Sequence, residues 1–477
     1  MAEGLKARFG PISSFYAAMK PPSRIFRGYH DLEKISFALP TLTEYQVLAC
    51  SDQDVKAVCE SSERTLSFHA AMTDRLKHKY TMFGFEHNDV DPHNAVPART
   101  LRILLKKHLP ALRPIIEARV REGFEKELCK ISKDSNGWSS VSAFGLSKRI
   151  TERVNSQIFL GTELANASDF MISAIRYSHD AIVAAEICRQ LPSILTPIVA
   201  PAIMRWSGAM KAVAASIKKV VEQKLHEIDS ESSSIPEHTE MDCLQWVIES
   251  SRTKAQKTID RLVQQVGAVF FAAAHQMPMA LVYALYSMCD HPEYVELLRS
   301  EAKQYMDSDI GDSFKHMHLL DAFLRESARL NPLDALSIQR KVLEPLSLPS
   351  GGLIPDGNLI AVPQQAILRN SDLYPNPECF NAYRYFPVSV QAHPERAQMK
   401  TQFTDVSRAY SYWGSTRKPC PGRWYVSETL KVALVHLLMN YDFKLEDEEA
   451  SRSFFWTTAI VPRLRTKIVM RKRETSE

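Results

Sequence analysis

One stretch of the chain decides its interpretation. Residues 412–425 read YWGSTRKPCPGRWY, and Cys420 lies between Pro419 and Pro421 directly before a predicted helix. A thiolate at this place would face the positive end of the helix dipole and free backbone N–H groups, which suits a metal ligand. Gly422 omits a side chain where a flat cofactor could approach the backbone. A proline-rich turn around a buried cysteine is the alternative, and the stretch alone does not decide between the two.

The composition describes a folded protein and narrows its function. Of the 477 residues, 45% are hydrophobic, which is enough to bury a large core. The net charge is only +4, so we expect no nucleic-acid partner, which would need clustered Lys and Arg. The chain contains no G-x-G-x-x-G, no G-x-x-x-x-G-K-[ST] and no G-x-S-x-G. The eight cysteines form no C-x-x-C pair, which is typical of a reducing compartment.

The hydrophobic pattern predicts a mainly α-helical protein with a minor β-sheet, in one large domain that covers residues 1–477. Helices are predicted at 97–130, 141–159, 318–330 and 425–440, and portions rich in strand at about 35–60, 337–367 and 441–472. The first ten residues lack an apolar stretch, so we expect neither a signal peptide nor an N-terminal membrane anchor.

Two apolar segments allow more than one interpretation. Residues 191–204 contain three prolines, so they cannot form one straight helix, and we interpret them as an apolar connection between helices. This connection belongs to the core, touches a membrane or covers a pocket. Residues 262–289 carry no charge and are long enough to span a membrane. Their glutamines, histidine and proline favour instead a helix through the centre of a soluble domain.

Two further segments carry charged residues. Glu326 and Arg329 lie three positions apart on one face of a predicted helix, where they can form an ion pair. Residues 374–386 form a proline-rich loop that contains one arginine, Arg384. Taken alone, neither feature is informative, because most such pairs are solvated and contribute little to stability.

In this order along the chain, the segments resemble the cytochrome P-450 family of haem-thiolate enzymes, and most of all its fungal members. Glu326 and Arg329 match the E-x-x-R motif of the family. PECFNAYR at 377–384 resembles its P-E-x-F…R segment, and WGSTRKPCPG at 413–422 resembles its F-x-x-G-x-R-x-C-x-G cysteine loop. LIPDGNLIAV at 353–362 is similar to its sheet segment with an I-P-x-G turn.

The resemblance implies a haem held between the central helix and the helix that follows the cysteine. Cys420 would be the axial ligand of the iron, and a thiolate ligand pushes electron density onto iron and favours O–O cleavage. Glu326, Arg329 and Arg384 would form a buried triad that holds the cysteine loop. Further residues implied to contact the haem are Arg340 and Lys418, through its propionates, and Gly422.

The cysteine loop departs from the family pattern at three positions. Trp413 replaces Phe, Thr416 replaces the usual Gly, and Lys418 replaces Arg or His. Trp413 can stack as Phe does. Thr416 is β-branched and requires an ordinary backbone angle, so we expect the turn to differ there. Lys418 keeps the positive charge but loses the planar fork of Arg.

The central helix departs more strongly. AAAHQMP at 272–278 aligns with the oxygen-activating stretch of the family, which usually has an acid followed by Thr. His275 takes the position of the acid, as in some fungal relatives, and Gln276 that of the Thr. A hydroxyl can relay protons, whereas Gln276 binds a water but does not release a proton easily. His275 and Gln276 are therefore candidate catalytic residues with altered proton delivery, unless Gln276 only caps a kink at Pro278.

The resemblance implies a monooxygenase that hydroxylates or epoxidises a small apolar intermediate of fungal secondary metabolism. Electrons from NADPH would arrive through a separate reductase, attracted by the positive charge of Arg417, Lys418 and Arg423. We expect the pocket to be lined by Phe270, Ala273, Ala274 and Met277, by residues 333–336 and by residues 454–456.

Two other functions stay open. Gln276 favours an isomerase, dehydratase or cyclase that uses the haem-thiolate without NADPH. A non-catalytic haem-binding protein is the other alternative, and the intact set of Cys420, Glu326, Arg329 and Arg384 argues against it. The resemblance also implies a monomer on the cytosolic face of the endoplasmic reticulum membrane. Since we expect no N-terminal anchor, the protein is either soluble or touches the membrane through residues 191–204.

Overall fold

The structure is a computed structural model that describes residues 21–41, 44–86, 88, 90–91, 95–230, 242–306, 314, 316–387 and 401–474. Over these residues the protein is mainly α-helical with small β-sheets, as the sequence predicts. The chain divides into two compact units. The first unit comprises Met1–Ala71, Val282–Arg423 and Asp447–Thr466, and the second comprises Met72–Leu281, Trp424–Glu446 and Lys467–Glu477.

The first unit contains a five-stranded sheet. Its strands are, in spatial order, Phe37–Pro40, Tyr45–Leu48, Leu359–Val362, Ser337–Val342 and Leu66–Ser67. Tyr45–Leu48 and Leu359–Val362 pair in parallel, and the other neighbours are antiparallel. The inner strands are rich in Val, Ile and Leu, whose side chains form the core of this unit. Two hairpins accompany the sheet: Leu346–Ser347 with Leu353–Ile354, and Ser453–Trp456 with Ala459–Pro462.

The first unit also contains helices, which alternate with these strands along the chain. They are Pro21–Asp31, Asp52–Glu60, Val295–Met306, His318–Leu330 and Gln364–Ile367, with 3-10 turns at Pro292–Tyr294 and Ala382–Tyr385; Phe68–Leu76 crosses into the second unit. The bounds of His318–Leu330 agree with the predicted helix at 318–330.

The portion at 35–60 contains a helix besides its two strands. Asp52–Glu60 is a helix, because the hydroxyl of Ser51 accepts a hydrogen bond from the backbone N–H of Asp54 and caps its first turn. Asp52 and Asp54 add negative charge at the positive end of the helix dipole. At the end of the portion at 337–367, Gln364–Ile367 is likewise one helical turn instead of strand.

The second unit is mostly helical. Its helices are His78–Thr81, Ala95–Arg99, Lys106–Leu128, Ala143–Leu160, Thr162–Asn166, Ser168–Arg189, Thr196–Trp206, Ala209–Ser230, Cys243–Ser250 and, but for its first residue, Arg423–Asn440. A three-stranded antiparallel sheet has Lys467–Lys472 in the middle, between Ser139–Ser142 and Tyr441–Leu445. The helix predicted at 97–130 contains a π-helical segment, Thr100–Leu105, which the sequence pattern did not indicate.

The prolines at 191–204 interrupt the helix less than we expected. A 3-10 turn, Ser193–Leu195, leads into the α-helix Thr196–Trp206, so most of the segment is helical and our interpretation as a connection was wrong. Pro197 lies in the first turn, where its missing N–H costs no hydrogen bond. Only Pro201 lies inside the helix.

The central helix, Ile259–Asp290, runs from the second unit into the first. It is long and apolar enough to cross a membrane by length and composition, but 72% of its most apolar window is buried inside the protein. This burial favours the core helix that we preferred from the sequence.

Candidate functional site

The carboxylate of Glu326 is the centre of a buried network in the first unit. Arg329 binds it with two parallel hydrogen bonds, from Nε and Nη2, each 2.8 Å long. Arg384 donates from Nε at 2.9 Å, Asn381 from its backbone N–H at 3.0 Å and Tyr385 from its hydroxyl at 2.9 Å. Both Glu326 and Arg329 have fully buried side chains. The three residues that the sequence pointed to are thus brought together, and every lone pair of the carboxylate is used.

The remaining N–H groups of the two arginines fix the loop that contains Arg384. Nη1 of Arg329 donates to the carbonyl oxygens of Leu368 and Pro377, at 2.8 and 2.7 Å. Arg384 donates to the carbonyl oxygens of Pro375 and Cys379, at 3.0 and 3.1 Å. Burial disfavours the charged form of Arg329, but its hydrogen bonds to Glu326 outweigh burial and raise its pKa. Arg329 is therefore held in its charged form inside the network.

The same helix reaches the segment before the cysteine through two residues that the sequence did not single out. Asp321 accepts a 2.6 Å hydrogen bond from the backbone N–H of Phe403. Arg325 donates to the carbonyl oxygen of Gln402 at 2.5 Å, and its guanidinium lies over the ring of Tyr410 at 3.8 Å. Asp321 lies five residues before Glu326 and Arg325 directly before it, so their position on this helix was the available signal.

The cysteine loop closes on itself by backbone hydrogen bonds. The N–H of Cys420 donates to the carbonyl oxygen of Trp413 at 2.6 Å, and the indole N–H of Trp413 donates to the carbonyl oxygen of Phe403 at 2.7 Å. Gly414 has a φ of +96°, and a Cβ there would lie 3.0 Å from the carbonyl oxygen of Lys418. Thr416 does not have a positive φ, so its β-branched side chain is accommodated without backbone strain.

The chemistry around Cys420 fits a haem-thiolate ligand. The residue is partly accessible, and desolvation of its sulfur by the surrounding protein raises the pKa of the thiol. Backbone N–H groups of Gly422 and Arg423, at the start of the helix Arg423–Asn440, and the charge of Arg423 act in the opposite direction and favour the thiolate. A Cβ built on Gly422 would meet no atom within 4 Å, so the backbone is open to a flat ligand.

The cations near the loop are in different situations. Lys418 is in an ion pair with Glu63, and Arg417 donates to the carbonyl oxygen of Glu60 at 2.5 Å. Arg423 donates to the carbonyl oxygens of Thr404 and Cys420, at 3.1 and 2.9 Å. The charge of Lys418 is thus already balanced, which the sequence did not indicate.

Arg340 is a buried cation on the strand Ser337–Val342. Nη1 of its guanidinium donates to the carbonyl oxygen of Gln339 at 2.8 Å, and the group lies 5.2 Å from the ring of Phe68. Burial lowers its pKa, and the charge of Glu63 opposes this effect. A buried guanidinium in such surroundings fits an anionic group such as a propionate.

His275 and Gln276 lie on the part of the central helix that belongs to the second unit. Burial lowers the pKa of His275 to about 4, and the positive charges of Lys148, Arg75 and His179 add to this effect. His275 is therefore a neutral imidazole near pH 7. Gln276 is exposed, so its amide is free of the surrounding core.

The central helix has an accessible face near Gln276. Ala272, Ala273 and Gln276 are accessible. Gln276 follows Ala272 by four residues and Ala273 by three, so the three side chains lie on one face of the helix. Of the residues that we expect to line a pocket, Ala273 lies on this face, and Phe270, Ala274 and Met277 are buried. These three buried residues share a second face of the helix, because they recur with helical spacing.

The other predicted pocket segments lie together in the first unit. The backbone N–H of Ala335 donates to the carbonyl oxygen of Thr458 at 2.8 Å, and that of Ile460 donates to Leu333 at 3.0 Å. These bonds tie residues 333–336 to the hairpin whose first strand ends in the exposed Phe454, Phe455 and Trp456.

Comparison with known proteins gives a consistent result. The family model described as cytochrome P-450 matches residues 20–470. Cytochrome P-450 monooxygenase 71 of Postia placenta is 26% identical over 97% of this chain and 92% of its own length. Cytochrome P-450 monooxygenase olcJ of Penicillium canescens is 27% identical over 90% of this chain and 80% of its own length. Ent-kaurene oxidase of Gibberella intermedia is 26% identical over 79% of this chain and 70% of its own length.

A solved structure gives the same fold. The retinoic-acid-bound cyanobacterial CYP120A1 matches with a TM-score of 0.70 and 16% sequence identity, over 92% of each chain.

Proposed function

Since this chain belongs to the cytochrome P-450 family and is an oxidoreductase of its monooxygenase class, we propose that it hydroxylates or epoxidises an apolar natural-product intermediate. It uses dioxygen and electrons that an NADPH-dependent reductase supplies. The observation that carries this proposal is the position of Cys420 directly before the helix Arg423–Asn440, with hydrogen bonds from the backbone N–H groups of Gly422 and Arg423 to its sulfur and an open backbone at Gly422.

The haem supplies the redox chemistry, and the residues of the chain hold it and tune it. Cys420 would ligate the haem iron, and Gly422 would let the flat ring approach the backbone. Arg340 would bind a propionate through its buried guanidinium, whereas Lys418, the other cation expected to do so, is engaged in an ion pair with Glu63. The Glu326 network positions the 375–385 loop, and Arg325 extends that support to the cysteine segment.

Proton supply distinguishes this chain from the usual pattern of the family. Because the pKa of His275 is about 4, its imidazole is neutral and does not donate a proton at pH 7. Gln276 orients a water with its amide and cannot release a proton. Waters or hydroxyl groups of the substrate then deliver protons, and turnover depends on a substrate that orders these waters.

Gln276 also favours the second candidate function, an isomerase, dehydratase or cyclase that rearranges its substrate without net oxygen insertion. The two functions differ in their need for a reductase. Incubation of the purified protein with NADPH, a reductase and candidate apolar substrates should give products that carry one atom from labelled dioxygen. A product that forms equally well without the reductase, and without the label, would favour the second function.

Two surface features support proposals about the reductase partner and the membrane contact of the protein. The reductase approaches the basic side of the cysteine loop, where Arg417 stays exposed at its surface. The helix Thr196–Trp206 presents Ile198, which is 70% exposed, and Trp206, which is 89% exposed. Apolar side chains of this kind insert into the interface of a bilayer. These exposed side chains support the proposal that the protein touches the cytosolic face of the endoplasmic reticulum membrane through this helix, and we propose that it does so as a monomer.

A further inference from the structure

Glu63 neutralises Lys418, one of the three cations of the cysteine loop. Its carboxylate forms an ion pair with Lys418 and accepts hydrogen bonds from the hydroxyl of Ser67, at 2.8 Å, and from the backbone N–H of His69, at 3.0 Å. Burial opposes ionisation, but the hydrogen bond from Lys418 and the other two donors outweigh it and lower the pKa of Glu63 to about 2. The carboxylate is therefore charged, and the ion pair with Lys418 is preformed.

Of the two cations expected to bind the propionates, Lys418 and Arg340, it is Arg340 that has no preformed acidic partner at hydrogen-bonding distance among the described residues. Its guanidinium is buried and contacts the carbonyl oxygen of Gln339 and the face of Phe68. The charge of Glu63 acts on Arg340 only at longer range. The three charged groups together carry a net charge of one positive unit, and it resides on Arg340.

We propose that the ion pair with Glu63 makes Lys418 unavailable to the haem, so that Arg340 alone binds a haem propionate on this side. The negative charge of Glu63 then weakens haem binding and lowers the reduction potential of the haem iron. This inference rests on the proposed function, since it requires a haem. The physical reason is electrostatic: a negative charge near the propionates repels them and stabilises the oxidised iron centre. The Glu63–Lys418 pair thus adjusts the cofactor without touching the iron.

Two variants remove one charge each from the same pair. Glu63→Gln keeps an oxygen that accepts from Ser67 and His69 and releases Lys418 for the propionate. Haem transfer from this variant to apomyoglobin should be slower by roughly three- to tenfold, and its reduction potential should rise. Lys418→Gln leaves Glu63 without its cation, so haem transfer should be faster by a similar factor and the potential should fall.

The pair of Arg408 and Asp52 provides the matched control. It joins the same two parts of the chain, with Nε of Arg408 3.0 Å from the carboxylate of Asp52, and it is more exposed. Asp52→Asn should change neither haem transfer nor the potential. The variants are compared in the full-length chain, reconstituted with haemin and reduced stepwise.

Opposite signs for the two variants support the inference. If Glu63→Gln and Lys418→Gln both accelerate haem loss, the pair only holds the loop together, and the electrostatic role is overturned. If neither differs from Asp52→Asn, the inference is also overturned. A parent protein that takes up no haem would overturn the proposed function itself, and that result is recognisable before any variant is compared.

Discussion

Replacement of Glu326 by Gln tests whether the buried network is essential for the fold of the first unit. The carboxylate accepts five hydrogen bonds, from Arg329, Asn381, Arg384 and Tyr385. A Gln side chain has nearly the same volume, but it carries no charge and only one acceptor oxygen. Its amide nitrogen would face at least two groups that are themselves donors.

The expected cost follows from burial. Glu326 and Arg329 have no exposed side-chain surface, and the side chain of Arg384 is 10% exposed. Loss of one partner from such a pair leaves a buried charge without compensation, which costs about 3–5 kcal/mol. Arg384→Lys should cost less, about 1–2 kcal/mol, because the charge stays and only the planar fork is lost.

An exposed pair of similar geometry provides the control. Nε of Arg64 lies 2.9 Å from the carboxylate of Glu344, with side chains that are 87% and 46% exposed. Glu344→Gln should therefore cost about 1 kcal/mol or less. Urea unfolding of the haem-loaded proteins, followed by far-UV circular dichroism, gives the midpoint and slope for each variant. A cost for Glu326→Gln equal to that of Glu344→Gln would refute the reasoning.

Three further predictions use other parts of the chain. Burial raises the pKa of Glu152 to about 8 in the folded protein, so stability should fall as the pH rises from about 4.5 to 8. Glu152→Gln should remove this pH dependence and increase stability by up to roughly 4 kcal/mol at pH 8. The control variant Glu125→Gln, at an exposed position, should keep the pH dependence. Arg325→Ala should destabilise the protein by about 2 kcal/mol and accelerate haem loss, because the stacked cation that fixes the segment before the cysteine is gone; haem transfer unchanged from the parent would contradict this. Trp206→Ser and Ile198→Ser should each weaken cosedimentation with phospholipid vesicles severalfold without moving the urea midpoint, and vesicle binding equal to that of the parent would speak against membrane contact.

The sequence predicts the parts of the site that are local. Glu326 and Arg329 are three residues apart, and a helix brings them to one face whatever surrounds it. The helix at 318–330 was predicted with the bounds that it has, because its apolar residues recur with helical spacing and Asn331 and Pro332 end it. Fold class could likewise be predicted from hydrophobic spacing together with the family resemblance.

The non-local contacts could not be predicted. Glu63 and Lys418 are 355 positions apart, and no spacing rule connects them. The role of Asp321 and Arg325 depends on which segment packs against their helix. On the central helix, the residue types near Gln276 are apolar on both faces, so the pattern did not show which face stays accessible. The helix at 196–206 was missed because its prolines were taken as helix breakers. A proline in the first turn is tolerated, but the sequence pattern did not show that the helix begins at Thr196.

The central claim is that the thiolate of Cys420 ligates a haem iron. The difference spectrum of the reduced protein with and without carbon monoxide, recorded for the parent and for Cys420→Ser, tests it most directly. We predict a thiolate-type Soret band in the parent and its loss in Cys420→Ser. A parent that binds haem without that band, or a band that survives in Cys420→Ser, would contradict the claim.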